Sequence, residues 1–236
     1  SSLTLQQFFE ATGVELSLVA ADSSAARLLV LNHQTAPKCP LVWAVRMSMS
    51  IPLLWDEVVW QAEWGPYLGH DLTGHAIVDG GVLSNFPIEL FLSDRPQVTA
   101  LMGPKQDTPV MGLLIDDALA VPTPRGLLLD VKVKPGELRT VQRISNLIDT
   151  AVSAHDKMVI EAFEHLVVRL PAAGYGTTEF EMSDDRRAAL VAGGRAAMSA
   201  YLDRPPVAAA VPRGAEDVVA QQAQQHADRV ASHLLS

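Results

Sequence analysis

The feature of this sequence best suited to chemistry is an acid set between a short apolar run and two glycines. Residues 76–78 (Ala-Ile-Val) lead directly into Asp79, and Gly80 and Gly81 follow. The pattern predicts a strand that carries a carboxylate to the edge of a sheet, where glycines let the backbone turn tightly. Carboxylates transfer protons in many enzymes. Asp-Gly is also a common turn pair, so this motif alone does not assign a role.

Other polar groups offer less specific patterns. His70 and His75 flank Asp71, but their spacing matches no metal-binding motif, so the sequence predicts neither a metal site nor a cofactor. His155 falls on the apolar stripe of a predicted helix, where a core or rim position is favoured over a role as a base.

The composition indicates a well-buried globular protein. Hydrophobic residues make up 48% of the 236 residues and charged residues 19%, with 18 basic against 27 acidic side chains. This net charge of −9, with no basic cluster, disfavours nucleic acid as a partner. The single cysteine, Cys39, excludes an internal disulfide framework, and no apolar run is long enough to span a bilayer.

Strands alternating with helices surround the Asp79 motif, which predicts a layered α/β domain. Thr4 and Gln7 form a capping-box pattern for a first helix that Gly13 closes, and Ser183 is the predicted cap of a late helix. Apolar periodicity predicts strands at 14–22 and 26–33 (a hairpin), 75–78, 98–103, 110–116 and 165–171, and helices at 40–52 and 144–163. A Pro/Ala-rich linker is predicted at 203–216, followed by a C-terminal helix at 217–236.

Three blocks in a fixed order resemble patatin-like phospholipases. They are WAVRMSMSIP at 43–52, IVDGGVLSNFPIELF at 77–91, and GYGTTEFEMSDDRRAALVAGGRAA at 174–197. The resemblance covers most of residues 3–202 and corresponds to the C-terminal half of the family's domain. It implies a three-layer fold with a central, largely parallel sheet between helical layers.

The resemblance also implies a Ser–Asp dyad that hydrolyses acyl esters of lipids. Asp79 corresponds to the family's second catalytic residue, which accepts the serine proton and returns it to the leaving group. Gly80 and Gly81 would let the turn hold Asp79 close to the serine.

The family's nucleophile lies in a G-x-S-x-G elbow after a glycine-rich oxyanion loop, and this chain contains neither. Ser84 has no glycine two residues after it and is predicted to cap a helix with Asn85, while Ser48 and Ser50 are predicted to bond local backbone. We therefore expect the first strands and the elbow on an upstream segment, and no activity from this chain alone.

Four aromatic residues lie between the Ile-Pro and Asp-Gly-Gly motifs, and two interpretations of them stay open. Trp55, Trp60, Trp64 and Tyr67 could form an interfacial patch that contacts lipid, because amphipathic rings favour the headgroup layer. Ordinary packing beneath a loop is the equal alternative. Arg46 is likewise left between pairing with a carboxylate and capping a helix end.

The leading functional hypothesis is a patatin-like lipid acyl hydrolase, with residues 1–202 forming the C-terminal part of its domain. The alternative is a non-catalytic patatin-like binding or regulatory module whose upstream segment lacks the serine. The expected partners are a lipid or acyl-ester substrate, the N-terminal segment of the same domain and a membrane surface in peripheral contact. The compartment stays open, with the cytoplasm or a peripheral membrane location favoured.

Overall fold

The computed structural model describes most of the chain, in two compact units. The described residues are 3–106, 108–122, 160–161, 163–176, 179, 181–204, 225 and 228–229. The first unit holds the described residues up to Thr108 together with 225, 228 and 229. The second holds the described residues from Pro109 to 204.

The helices and strands follow one another in mixed α/β order. They are α1 (Leu5–Thr12), β1 (Leu18–Asp22), β2 (Arg27–Leu31), α2 (Leu41–Ser48), β3 (Val58–Val59), β4 (Ala76–Asp79), α3 (Glu89–Leu92), α4 (Pro96–Met102), β5 (Gly112–Ala120), β6 (Val167–Ala173) and α5 (Asp184–Leu202), with short 3₁₀ turns at Ala62–Trp64, Gly80–Val82 and Glu164–Leu166.

Local capping signals place two helices as the sequence predicts. The Thr4 hydroxyl accepts a hydrogen bond from the Gln7 amide, and the Gln7 side chain accepts one from the Thr4 amide, which completes the capping box of α1. Gly13 closes α1 in the left-handed conformation, at φ +67°. The Ser183 hydroxyl caps α5 by accepting from the Arg186 amide.

The first unit contains a four-stranded sheet in the order β2-β1-β4-β3, and every pairing in it is antiparallel. The predicted hairpin is confirmed, with Leu18 opposite Leu31 and Asp22 opposite Arg27. Strand β4 lies between β1 and β3, with Asp79 opposite Ala20. The strand that ends in Asp79 is therefore an inner strand of this sheet.

Strands β5 and β6 form a parallel pair in the second unit, against which α5 packs. In the described residues, parallel pairing is confined to these two strands. The mixed α/β class is thus confirmed, while the three-layer arrangement around a largely parallel sheet stays a prediction.

The strand predicted at 98–103 is wrong, because these residues form most of helix α4. Pro96 stands at the first helical position, where its missing N–H costs nothing, and Gly103 ends the helix at φ +77°. A short apolar run does not by itself distinguish a buried strand from a buried helix. The flanking proline and glycine decide it here.

Several predicted elements fall outside the described residues. The linker at 203–216, the C-terminal helix at 217–236 and the helix at 144–163, which includes His155, lie there almost entirely. They stay predictions. Among the helices that are described, none combines the length and apolarity needed to cross a bilayer.

Candidate active site

Asp79 occupies the last position of β4 and the first position of a tight turn. Its carboxylate oxygen Oδ1 accepts a hydrogen bond of 2.8 Å from the Gly81 amide, which caps the 3₁₀ turn Gly80–Val82. The backbone amide of Asp79 donates a 3.0 Å bond to the carbonyl of Ser50. The backbone amide of Asp79 and its carboxylate are thus each held by one hydrogen bond.

Both glycines after Asp79 lie close to other atoms, Gly80 to strand backbone and Gly81 to the ends of side chains. A Cβ on Gly80 would lie 2.6 Å from Cγ1 of Val19 and 2.8 Å from the Val19 carbonyl carbon and oxygen. A Cβ on Gly81 would lie 2.4 Å from the Asn85 side-chain oxygen and 3.2 Å from Oδ1 of Asp79. The first glycine lets the turn press against β1, and the second leaves room for the carboxylate.

The environment of Asp79 makes its carboxylate a stronger base than one in open solvent. Half-burial raises the pKa of the Asp79 carboxyl above its ordinary value, and the hydrogen bond from the Gly81 amide offsets part of that rise. A raised pKa means that the carboxylate holds a proton more tightly than a solvated one does. This electrostatic setting suits a general base.

Asp79 borders a shallow cavity of about 250 Å³ at the end of β4. Its lining combines apolar and hydroxyl-bearing residues: Ser17, Leu18, Val19, Ser48, Asp79, Gly81, Ser84, Asn85 and Pro87. Neither Ser17 nor Asn85 was predicted as a site residue: Ser17 lies in no motif, and Asn85, within the block at 77–91, was predicted only to accompany Ser84 at a helix cap. The cavity gives a hydroxyl-bearing group room to approach the carboxylate.

Ser84, which lines this cavity, and Ser50, whose carbonyl accepts from the Asp79 amide, both make local side-chain bonds. The Ser84 side chain is buried, and its oxygen accepts from the Phe86 amide at 3.3 Å. Helix α3 has Ile88 as its N-cap, so the prediction that Ser84 caps a helix is wrong: its oxygen bonds an amide of the turn that precedes α3. Ser50 donates to the Arg46 carbonyl at 2.6 Å, as predicted for local backbone bonding.

Three of the four aromatic residues for which a lipid interface and ordinary packing were both open belong to the core. Trp60 is 1% exposed, and Trp64 and Tyr67 are each 5% exposed. Trp60 packs edge-on against Trp64 at 5.6 Å, and the Tyr67 hydroxyl accepts a bond from the Val30 amide. The packing alternative holds for these three, since their rings are buried in the core of the first unit and cannot reach a lipid surface. Trp55 alone of the four is well exposed, at 40%.

His75 pairs with a carboxylate other than Asp79. Nδ1 of His75 lies 2.9 Å from the Asp22 carboxylate, which is buried and also pairs with Arg27 at 3.2 Å. This cluster ties the β1–β2 turn to the start of β4, at the opposite end of that strand from Asp79. Within the described ranges, no three His, Cys, Asp or Glu side chains are grouped as metal ligands.

A larger cavity, of about 480 Å³, lies away from Asp79. It is bordered by Trp43, Arg46, Asp56, Glu57, Val58, Val59, Gln61, Glu63 and Trp64. The Asp79 cavity is therefore not distinguished from this one by its size. It is distinguished by a carboxylate whose pKa is perturbed.

Comparison with known proteins agrees with the motifs. The family model for patatin-like phospholipases matches residues 2–92, which include β4, Asp79 and both glycines. An uncharacterized protein of Bacillus subtilis (strain 168), YqhO, is 26% identical over 194 residues, which cover 79% of this chain and 57% of that protein. The chain thus spans little more than half the length of this relative. No solved structure gives a significant match. Residues 2–92 thus match the patatin-like phospholipase family, which the motif blocks at 43–52 and 77–91 resemble.

Proposed function

We propose that this chain supplies the aspartate-bearing part of a patatin-like lipid acyl hydrolase. Asp79 is the base of a Ser–Asp dyad, and the serine nucleophile lies in a G-x-S-x-G elbow on an upstream segment of the same domain. The observation that carries the proposal is the half-buried Asp79 carboxylate, held at a strand end beside an open cavity, within the stretch that matches the family.

The chemistry follows from that position. A serine hydroxyl brought into the cavity would donate its proton to the Asp79 carboxylate as the oxygen attacks an ester carbonyl. The protonated Asp79 would then return the proton to the departing alcohol. A carboxylate whose pKa is raised by burial serves both steps better than a fully solvated one, because its two protonation states lie closer in free energy at neutral pH.

The complete domain, in this proposal, is larger than the two described units. The upstream segment would supply the glycine-rich oxyanion loop, the elbow and the remaining strands of a three-layer fold. Residues 1–236 alone would then hydrolyse no ester. The substrate would be an acyl ester of a lipid, reached by peripheral contact with a membrane in which the exposed Trp55 takes part.

Replacement of the base tests the proposal directly. In a polypeptide that includes the upstream segment, Asp79→Asn should lower the hydrolysis rate of a short-chain p-nitrophenyl ester by about 10²- to 10⁴-fold, because the amide cannot accept the serine proton. Asp117→Asn, a change of the same type at an exposed position of β5, is the control and should leave the rate unchanged.

Two results would count against the enzyme. Activity of Asp79→Asn within a few-fold of wild type would remove Asp79 from the dyad. A wild-type protein that folds cooperatively yet hydrolyses no ester and reacts with no fluorophosphonate would instead be a non-catalytic module.

A further inference from the structure

We propose that Arg46 and Ser50 are positioning residues for Asp79, acting through the backbone of Ser50. This inference rests on the proposed function only because that function makes Asp79 the base. The contact network itself is a property of the first unit.

The backbone amide of Asp79 has its hydrogen-bond acceptor outside the sheet. In an antiparallel sheet, the N–H of each residue points to only one of the two neighbouring strands. Strand β3 is two residues long and pairs with Ile77 and Ala76, so it stops before Asp79. The Ser50 carbonyl takes the place of the missing strand partner and accepts from the Asp79 amide at 3.0 Å.

Ser50 is itself fixed by Arg46. The Ser50 side chain is fully buried, donates to the Arg46 carbonyl at 2.6 Å and accepts from Nη1 of the same arginine. The first bond satisfies a carbonyl in the last turn of α2, which has no partner within the helix. These two bonds hold the backbone of Ser50 in the orientation that receives Asp79.

Arg46 extends the network to the protein surface. Nη2 donates to the Asp56 carbonyl at 3.1 Å, and the guanidinium lies 5.5 Å from the ring centre of the exposed Trp55. One side chain thus connects the end of α2, the loop after it and, through Ser50, the strand end that bears the carboxylate. Neither role left open for Arg46, pairing with a carboxylate or capping a helix end, matches these bonds, whose acceptors are the Ser50 hydroxyl and the Asp56 carbonyl.

Hydrogen exchange at the Asp79 amide is the local readout. Ser50→Ala removes both hydrogen bonds of the Ser50 hydroxyl, one of which has a charged donor, the Arg46 guanidinium. We therefore expect the Asp79 amide to exchange on the order of tenfold faster. Arg46→Gln, at a half-buried position, should give the same change in a protein that still folds. Ser23→Ala is the matched control, because the Ser23 hydroxyl bonds the Ala76 carbonyl at the other end of β4.

The pattern of exchange decides between positioning and general support. Faster exchange at Asp79 in both variants, with β1 and β2 amides unchanged and Ser23→Ala like wild type, supports the proposal. Equal acceleration of every amide in the sheet would overturn it, because the network would then stabilise only the unit as a whole. Unchanged exchange at Asp79 would overturn it as well.

A second measurement follows the carboxylate itself. NMR titration of the Asp79 carboxyl carbon should show its raised pKa moving toward the ordinary value in Ser50→Ala, because a loosened strand end admits water. Neither measurement needs hydrolysis, so failure of the proposed reaction and failure of this network are separately visible. A pKa that stays where it is in wild type would contradict the inference.

Discussion

Gly80→Ala tests whether the turn after Asp79 depends on its contact with β1. The added methyl would lie 2.6 Å from Cγ1 of Val19 and 2.8 Å from the Val19 carbonyl, whereas carbon atoms in contact prefer about 3.5–4.0 Å. A shift of about 0.7 Å or more is needed. The Val19 methyl can rotate away, but its carbonyl belongs to a strand paired on both sides. The strain therefore falls on backbone.

The magnitude follows from this geometry. Overpacking in a well-packed region costs about 1–3 kcal/mol. For a protein of this size each kcal/mol lowers the melting temperature by roughly 2–4 °C, so we expect a fall of about 2–12 °C. Gly81→Ala is the matched control: its methyl meets the ends of the Asn85 and Asp79 side chains, which can move, so its loss should be smaller.

The assay is thermal or urea unfolding followed by tryptophan fluorescence. All four tryptophans lie between residues 43 and 64, so the signal reports the unit that contains Gly80. The reasoning is refuted if Gly80→Ala is as stable as wild type, or if Gly81→Ala loses more than Gly80→Ala does.

Two further predictions concern burial. Trp60→Ala should lower the free energy of unfolding by about 3–5 kcal/mol in denaturant titrations, because a fully buried ring is lost. Trp55→Ala should lower it by about 1 kcal/mol or less and should weaken liposome binding in flotation. Equal destabilisation by both variants would contradict the assigned burial. Asp79→Asn should be more stable than wild type near neutral pH, because a raised pKa of the Asp79 carboxyl means that its ionisation destabilises the folded state. This cost is absent below the pKa of the carboxyl in the unfolded chain and complete above its pKa in the folded protein. Unfolding curves at several pH values check this, and a stability gap that grows as the pH falls would reverse the sign of the burial effect.

The sequence predicts what local chemistry determines. Thr4 with Gln7, Gly13 and Ser183 act within one turn of their own helices, and the hydrogen bond from the Gly81 amide to Asp79 joins residues two apart in the chain. The hairpin of β1 and β2 is equally local. These predictions needed no knowledge of the tertiary structure.

Predictions that depended on tertiary contacts fared differently. Burial of Trp60, Trp64 and Tyr67 depends on which elements cover them, and no spacing in the sequence expresses that. The 98–103 run is apolar in either secondary structure, so only its Pro96 and Gly103 boundaries mark a helix. The Ser50–Asp79 bond joins residues far apart in the chain through backbone atoms, which leave no signature in residue type.

The position of β4 between β1 and β3 also predicts an order in which the sheet forms. Strands β1 and β2 are adjacent in the chain, so their hairpin closes a short loop at small entropic cost. Strand β4 joins β1 only after the chain has passed through α2 and β3, and contacts of that sequence separation form slowly. During refolding, the Asp79 carboxyl should therefore keep a solvent-like proton affinity until β4 docks. Its titration would then record the moment at which the sheet is completed.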